Sequence, residues 1–167
     1  MASVAPGFVY ARSHNNLLSK DQDVTLFDGS ASVLVPLPSS WSIHAAAAWQ
    51  FAQQKLLPAD LLFQIGGPTS VRGFASGTFA GDSGFYGNAE LHKAISRPNY
   101  TVDVFAAYDG GVVWSTSPAQ RSLQSVALGA ELDVSSLAFS FGLGFPLSHT
   151  VPDRDDTILY LQTTAHI

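Results

Sequence analysis

The sequence contains no cysteine and few charged residues. The absence of cysteine excludes disulfide bonds, zinc sites built on thiolates and thiol nucleophiles. Charged residues make up 13% of the chain, compared with about 25% in average soluble proteins. The formal net charge of −5 gives no reason to expect a nucleic acid as partner.

Long apolar runs are missing as well, although 46% of the residues are hydrophobic. No window approaches the roughly 18 uninterrupted apolar residues of a transmembrane helix, and the run from Ile43 to Ala48 already contains His44. We find no signal peptide before Ala2 and expect a mature or engineered form. The composition leaves two alternatives, a soluble β-protein with unusually little surface charge or a membrane β-barrel.

A two-residue alternation dominates the chain. Between Leu137 and Phe145, five large apolar residues alternate with alanine, serine and two glycines. This pattern is typical of a strand with one face on lipid and the other on a lumen. Trp41 and Trp49 lie near the two ends of another such segment, where the aromatic girdles of a membrane barrel would be.

The alternation predicts an all-β fold, an antiparallel transmembrane meander of the outer-membrane barrel type in a single domain, residues 1–167. Long and short connections alternate, as expected for long extracellular loops and short periplasmic turns, and an even strand number places both termini in the periplasm. The alternative, a soluble β-sandwich, fits the low charge less well. The eight predicted strands are residues 4–13, 24–37, 41–53, 84–94, 100–114, 123–134, 136–146 and 157–167.

An enzymatic function is not expected. The five histidines are scattered without metal-ligand spacing, and Ser70 lacks a nucleophile-elbow context. The glycines after Gln64 are not followed by the Gly-Lys-Ser/Thr of a phosphate loop. Asp153, Asp155 and Asp156 form a solvated acidic loop more readily than a calcium site. We therefore predict no catalytic residue, no cofactor and no metal.

Inward-facing carboxylates are more informative. Glu90 and Asp109 fall on the lumenal face of neighbouring predicted strands, and an unpaired desolvated carboxylate is costly. Arg72 lies on a loop long enough to fold back, and its planar guanidinium can hold two carboxylates at once. The residues alone leave a second interpretation equally open, in which all three are solvated in a wet pore.

Three motifs carry a resemblance to a known family. They are GGPTSVRGF from Gly66, GDSGFYGNAEL from Gly81 and YDGG from Tyr108. Over about residues 40–167 the chain resembles the transporters of two-partner secretion systems (TpsB type), in the superfamily of outer-membrane barrels that secrete polypeptides or insert other barrels.

The resemblance implies that the extracellular loop 54–83 folds back into the lumen as a plug or gate. The loop motif would be Val71, Arg72, Gly73 and Phe74. Arg72 would pair with Asp109, and the lumen wall would also include Glu90 and Gly111. Loop support would come from Gly66, Gly67, Gly81, Asp82 and Gly84.

One position departs from the family pattern. Ala107 stands where the family has phenylalanine, two residues before the aspartate, so the ring expected on the arginine is lost. We expect a looser pairing as a result.

The size of the barrel creates a conflict. Family members have sixteen strands preceded by POTRA domains, whereas this chain has eight predicted strands and, we expect, no POTRA domain. A closed eight-stranded barrel is just filled by its own side chains, and an open sheet in lipid exposes unpaired edges. We therefore predict a homodimer that forms a larger ring.

The resemblance implies a protein of the bacterial outer membrane, in contact with its lipid, that translocates unfolded polypeptides or aids their insertion. The alternative is a structural or passive-pore barrel without transport activity. A soluble β-domain that binds a ligand through its loops is a third possibility.

Overall fold

A computed structural model describes residues 1–15, 20–53, 56–115, 120–151 and 155–165. Eight long strands form one antiparallel sheet in which sequence neighbours pair throughout, so the predicted eight-stranded meander is confirmed. These strands are β1 (Ala2–Asn15), β2 (Lys20–Leu37), β3 (Trp41–Ala52), β6 (Ser83–Arg97), β7 (Tyr100–Trp114), β8 (Arg121–Val134), β9 (Leu137–Pro146) and β10 (Ile158–Ala165).

The connection between β3 and β6 contains structure that the alternation did not predict. A short 3-10 helix (Ala59–Leu61) is followed by β4 (Phe63–Ile65) and β5 (Phe79–Gly81), which pair with each other as a separate two-stranded sheet. The segment between these short strands, residues 66–78, is called the inner loop below. In the described part of the chain, no helix reaches the length and apolarity required to cross a bilayer.

Period-two alternation gives the long sheet two different faces. On β9, Phe139 and Phe141 are each 42% exposed on one face, while Ser140 and Gly142 on the other are half-buried. The inner loop packs on the face of the small and polar side chains, which we call the inner face. The opposite, outer face carries exposed large apolar side chains on all eight strands, the surface that lipid would cover.

The strands extend further than the alternation indicated at one end of the sheet. Residues 14–23 have the composition of a long loop, but β1 and β2 pair as far as Asn15 and Lys20. Arg12 and Asp23 face each other there, with 3.2 Å between Arg12 Nε and Asp23 Oδ1. Cross-strand backbone pairing thus continues into sequence that has no hydrophobic alternation. At the other terminus the predicted strand 157–167 is described to Ala165, and residues 166–167 lie outside the described part.

Long and short connections lie at opposite ends of the sheet. Short turns at 38–40, 98–99 and 135–136 occupy one end, and the connections 53–82, 115–120 and 147–157 occupy the other. Ser39, Ser40 and Ser135 have positive φ in these tight turns.

The larger of two buried apolar clusters lies between the inner loop and the inner face; the smaller consists of Val24, Leu26 and Leu57. Val71 and Phe74 from the loop join Ile65, Val113 and Leu123 in a single apolar cluster. The sheet itself does not close, because among the described residues β1 and β10 pair only with β2 and β9. The loop is therefore the main element that fills the space in front of the sheet.

Candidate functional site

The inner loop begins with a glycine turn. Gly66 and Gly67 adopt φ of +107° and +101°, values that side-chain-bearing residues rarely tolerate. The Ser70 hydroxyl closes the turn, since its oxygen accepts from Gly66 N–H and its proton goes to Gly66 C=O, both at 3.0 Å. The turn delivers the next residues to the inner face of β6 and β7.

Arg72 is the centre of the site and binds Asp109 as a fork. Arg72 Nε donates to Asp109 Oδ2 at 2.8 Å and Nη2 donates to Oδ1 at 2.6 Å. The Arg72 backbone N–H adds a third bond, 3.0 Å from Oδ2. Asp109 is fully buried, so this bidentate pair is shielded from water.

Neighbouring strands complete the coordination of the aspartate. Asn88 on β6 donates through Nδ2 to Asp109 Oδ1 at 2.9 Å and to the carbonyl of Ser70 at 2.5 Å. The Ser125 hydroxyl on β8 donates to Asp109 Oδ2 at 3.5 Å. The Asn88 side chain thus bonds both the backbone of the inner loop and the buried Asp109 carboxylate.

A second carboxylate shares the guanidinium. Arg72 Nη2 lies 2.7 Å from Glu90 Oε1 on β6. Burial opposes the charge on Arg72, but hydrogen bonds and charge from Asp109 and then Glu90 outweigh it and raise the arginine pKa above its ordinary value. Arg72 therefore places a permanent positive charge against the inner face at any physiological pH.

The aromatic contact expected to be missing comes from another residue. The Phe105 ring lies 5.6 Å from the Arg72 guanidinium carbon, within cation–π range. Phe105 is two residues before Ala107 and therefore on the same inner face. The expected loose pairing is not observed, since Arg72 and Asp109 form a close, bidentate pair.

The tip of the inner loop also contacts the far part of the sheet. Gly73 N–H donates to the Tyr160 hydroxyl on β10 at 3.0 Å, and that hydroxyl donates to Phe74 C=O at 3.3 Å. A Cβ on Gly144 of β9 would overlap the backbone nitrogen of Gly73, so only glycine allows this approach. Gly73 itself has φ of +88°.

The loop is therefore held at two places on the inner face. The Arg72 side chain binds β6 and β7, and the backbone of residues 73 and 74 binds β10 across glycine positions of β9. The contact with Tyr160 could not be predicted from the sequence, because the two residues that bond are 87 positions apart.

The remaining predicted support residues position the ends of the loop. Asp82, only 4% exposed, accepts from Leu57 N–H through Oδ1 at 2.8 Å. A Cβ on Gly111 would lie 3.1 Å from the Val71 side chain, and one on Gly84 would lie 2.5 Å from Phe63. Gly81 has the same constraint against the Trp114 backbone, at 2.9 Å.

Two histidines that are far apart in the sequence, His44 and His92, contact each other on the inner face beside Glu90. His92 on β6 is held by Glu90, 2.7 Å from Nε2, and by Asp103 on β7, 2.9 Å from Nδ1. The His44 ring on β3 stacks on His92 with a centroid distance of 4.0 Å. Strand register creates this contact, since His44 pairs directly with Glu90.

Comparison with known proteins identifies relatives of this chain. The model of the family "Haemolysin secretion/activation protein ShlB/FhaC/HecB" matches residues 5–132. Among solved structures, CdiB from Acinetobacter baumannii is similar with a TM-score of 0.71 and 23% identity. The similarity covers 99% of this chain and 31% of the CdiB chain, so the present chain spans about a third of that protein. A comparison with curated proteins gave no significant match.

Proposed function

The chain belongs to the haemolysin secretion/activation protein family ShlB/FhaC/HecB, and from this premise we propose that it forms the wall of a polypeptide-translocating barrel in the bacterial outer membrane. The inner loop is the plug of that barrel, and Arg72 is its latch. The observation that carries the proposal is the bidentate Arg72–Asp109 pair, which fastens a long loop to a fully buried wall residue.

The contacts favour a plug that is tethered and movable. The loop packs on the inner face through the apolar side chains of Val71 and Phe74. It is also fastened by charged and hydrogen-bonded groups at two places, Arg72 on one side and the Gly73–Phe74 backbone on the other. Such contacts can be exchanged for contacts with water or with the amides of a passing polypeptide. The mechanism needs no covalent step, because the work is done by opening and closing a path.

Orientation follows from the two ends of the sheet. The outer face is apolar and contacts lipid, with the long connections outside the cell and the short turns in the periplasm. Both ends of this eight-stranded segment then lie on the periplasmic side.

Single-channel conductance in planar bilayers tests the plug. Arg72→Ala is compared with Arg97→Ala, which removes an exposed arginine beside a short turn. A latched plug predicts larger or noisier currents for Arg72→Ala and wild-type currents for the control. Unchanged currents together with unchanged thermal stability would overturn the proposal and favour a passive pore.

The open sheet also needs partners for its two edges. We propose that a second copy provides them, with β10 of each copy beside β1 of the other, which preserves antiparallel pairing around a ring of twice eight strands. Val4 on β1 and Leu161 on β10 are 70% and 73% exposed, as expected for uncovered edge strands.

Cross-linking through introduced thiols tests the ring, since the chain has no native cysteine. Val4→Cys and Leu161→Cys on separate copies should form dimers at low protein concentration in detergent, with a native mass of two chains. A monomeric mass would contradict the dimer and indicate that other strands cover these edges, without bearing on the latch.

A further inference from the structure

We infer that His44, Glu90 and His92 form a binding site for a divalent transition-metal ion such as Zn²⁺ on the inner wall. One ring nitrogen of each histidine and one carboxylate oxygen of Glu90 lie within 4.8 Å of one another. Two imidazoles and a carboxylate, with a position left for water, are a ligand set that zinc commonly takes. The strand register brings them together, since His44 is opposite Glu90 and His92 follows two residues later on the same face.

Metal binding has to adjust the spacing of the ligand atoms, which lie within 4.8 Å of one another. Ligands of a tetrahedral zinc site lie about 3.3 Å apart, given metal–ligand distances near 2.0–2.1 Å. His92 Nε2 and Glu90 Oε2 are closer than this, at 2.7 Å, because a proton lies between them. Binding replaces that proton with the metal and turns the His44 ring out of its stack on His92.

Asp103 supplies the outer support that metal-bound histidines usually have. Its Oδ1 lies 2.9 Å from His92 Nδ1, so once a metal displaces the proton on Nε2, the remaining ring proton is held on Nδ1 by this carboxylate. His92 is only 6% exposed, and its ring is held on the other side by Phe105 at a centroid distance of 5.2 Å. One of the three ligands is thus oriented in advance.

Local charge favours a cation at this position. Glu90, Asp103 and Asp109 contribute three carboxylates to the network around Arg72 and His92, against one permanent positive charge from Arg72. Access is open as well, since His44 and Glu90 line a cavity of about 480 Å³ that also borders β1 and β2. A hydrated ion can reach the site without moving the inner loop.

Titration with Co²⁺ tests the site in the full chain in detergent micelles, followed by visible absorption and then by competition with Zn²⁺. We expect one Co²⁺ per chain with a tetrahedral spectrum. Asp103→Asn should weaken binding about 10- to 100-fold, and His44→Ala or His92→Gln should weaken it further. His149→Ala, a histidine on the connection between β9 and β10, is the control and should bind like wild type.

Each variant is checked for folding by its heat-modifiable mobility on a gel. Folded His44→Ala that binds Co²⁺ as tightly as wild type would overturn the site, as would a wild-type chain that binds none. An equal loss in His149→Ala would mean scattered histidine binding, which also contradicts the inference. The test measures binding alone, so its outcome is independent of plug function.

Discussion

Separating Arg72 from Asp109 should release the inner loop while the sheet remains folded. The perturbation is a double-mutant cycle of Arg72→Ala, Asp109→Ala and the combined variant. The two side chains meet in a bidentate pair with contacts of 2.8 and 2.6 Å. Asp109 is fully buried and Arg72 is 9% exposed, so while the loop stays docked, removal of one partner leaves the other buried without its counter-charge.

The expected cost in docking free energy follows from the Asp109 carboxylate that remains after Arg72 is removed. Arg72→Ala leaves the Asp109 carboxylate buried with neutral donors: the backbone N–H of residue 72, Asn88 and, at 3.5 Å, the Ser125 hydroxyl. Breaking a buried ion pair by removing one partner costs about 3–5 kcal/mol, which corresponds to a loop-opening constant about 150- to 4000-fold larger. The double variant leaves no unpaired charge at position 109, and Glu90 keeps its contact with His92 after losing Arg72. A coupling free energy of about 2–3 kcal/mol is expected.

Hydrogen exchange of the amides from Val71 to Phe74 measures loop opening directly, and urea unfolding followed by tryptophan fluorescence measures the sheet. Exchange at these amides should accelerate strongly in either single variant and less than additively in the double variant. If the two single effects add within about 0.5 kcal/mol, the pair is not coupled, and the interpretation of both groups as solvated pore residues would be correct.

The loop tip gives three smaller predictions. Gly144→Ala should weaken docking of the loop by about 1–3 kcal/mol, because its Cβ would overlap the backbone nitrogen of Gly73. Gly142→Ala is the control and should be neutral, since no atom lies nearer than 3.9 Å to its Cβ. Limited proteolysis of the loop compares the two variants. Tyr160→Phe removes the hydroxyl that binds Gly73 and should cost about 1 kcal/mol of loop docking, seen as faster exchange at that amide, and wild-type exchange would show that the bond contributes nothing. Phe105→Leu should cost about 0.5–1 kcal/mol of docking through the lost cation–π contact, and equal exchange in Phe105→Tyr and Phe105→Leu would contradict that origin.

Alternation was sufficient to predict the sheet and the direction of its side chains. An outer face of large apolar residues and an inner face of small and polar ones give a strict period of two, so Glu90 and Asp109 could be assigned to the inner face from the order of residues alone. The fold of the inner loop could not be predicted in the same way. Its β4–β5 pair has three residues per strand, too short for a periodic signal, and forms because Ile65 joins the core with Val71.

Contacts between residues that are far apart in the sequence could not be predicted either. The Tyr160 contact depends on how far β9 and β10 are shifted against the loop, and register is not written in the hydrophobic pattern of either strand. The same holds for His44, which looked isolated in the sequence and meets Glu90 through pairing of β3 with β6. The contact of Phe105 with Arg72 was missed for a related reason, because an aromatic residue at any inner position near Asp109 can place its ring on the arginine.

Reversible cross-linking of the inner loop during conductance recording tests the central claim most directly. Thr69 on the loop and Gln162 on β10 are exposed residues that line the same cavity, and neither contributes a side chain to the latch. In Thr69→Cys/Gln162→Cys, a short bifunctional thiol reagent with a reducible spacer should hold the channel closed, and reduction should restore gating. The single variant Thr69→Cys should be unaffected by the reagent. Currents that persist unchanged in the cross-linked double variant would contradict a plug formed by the Arg72 loop.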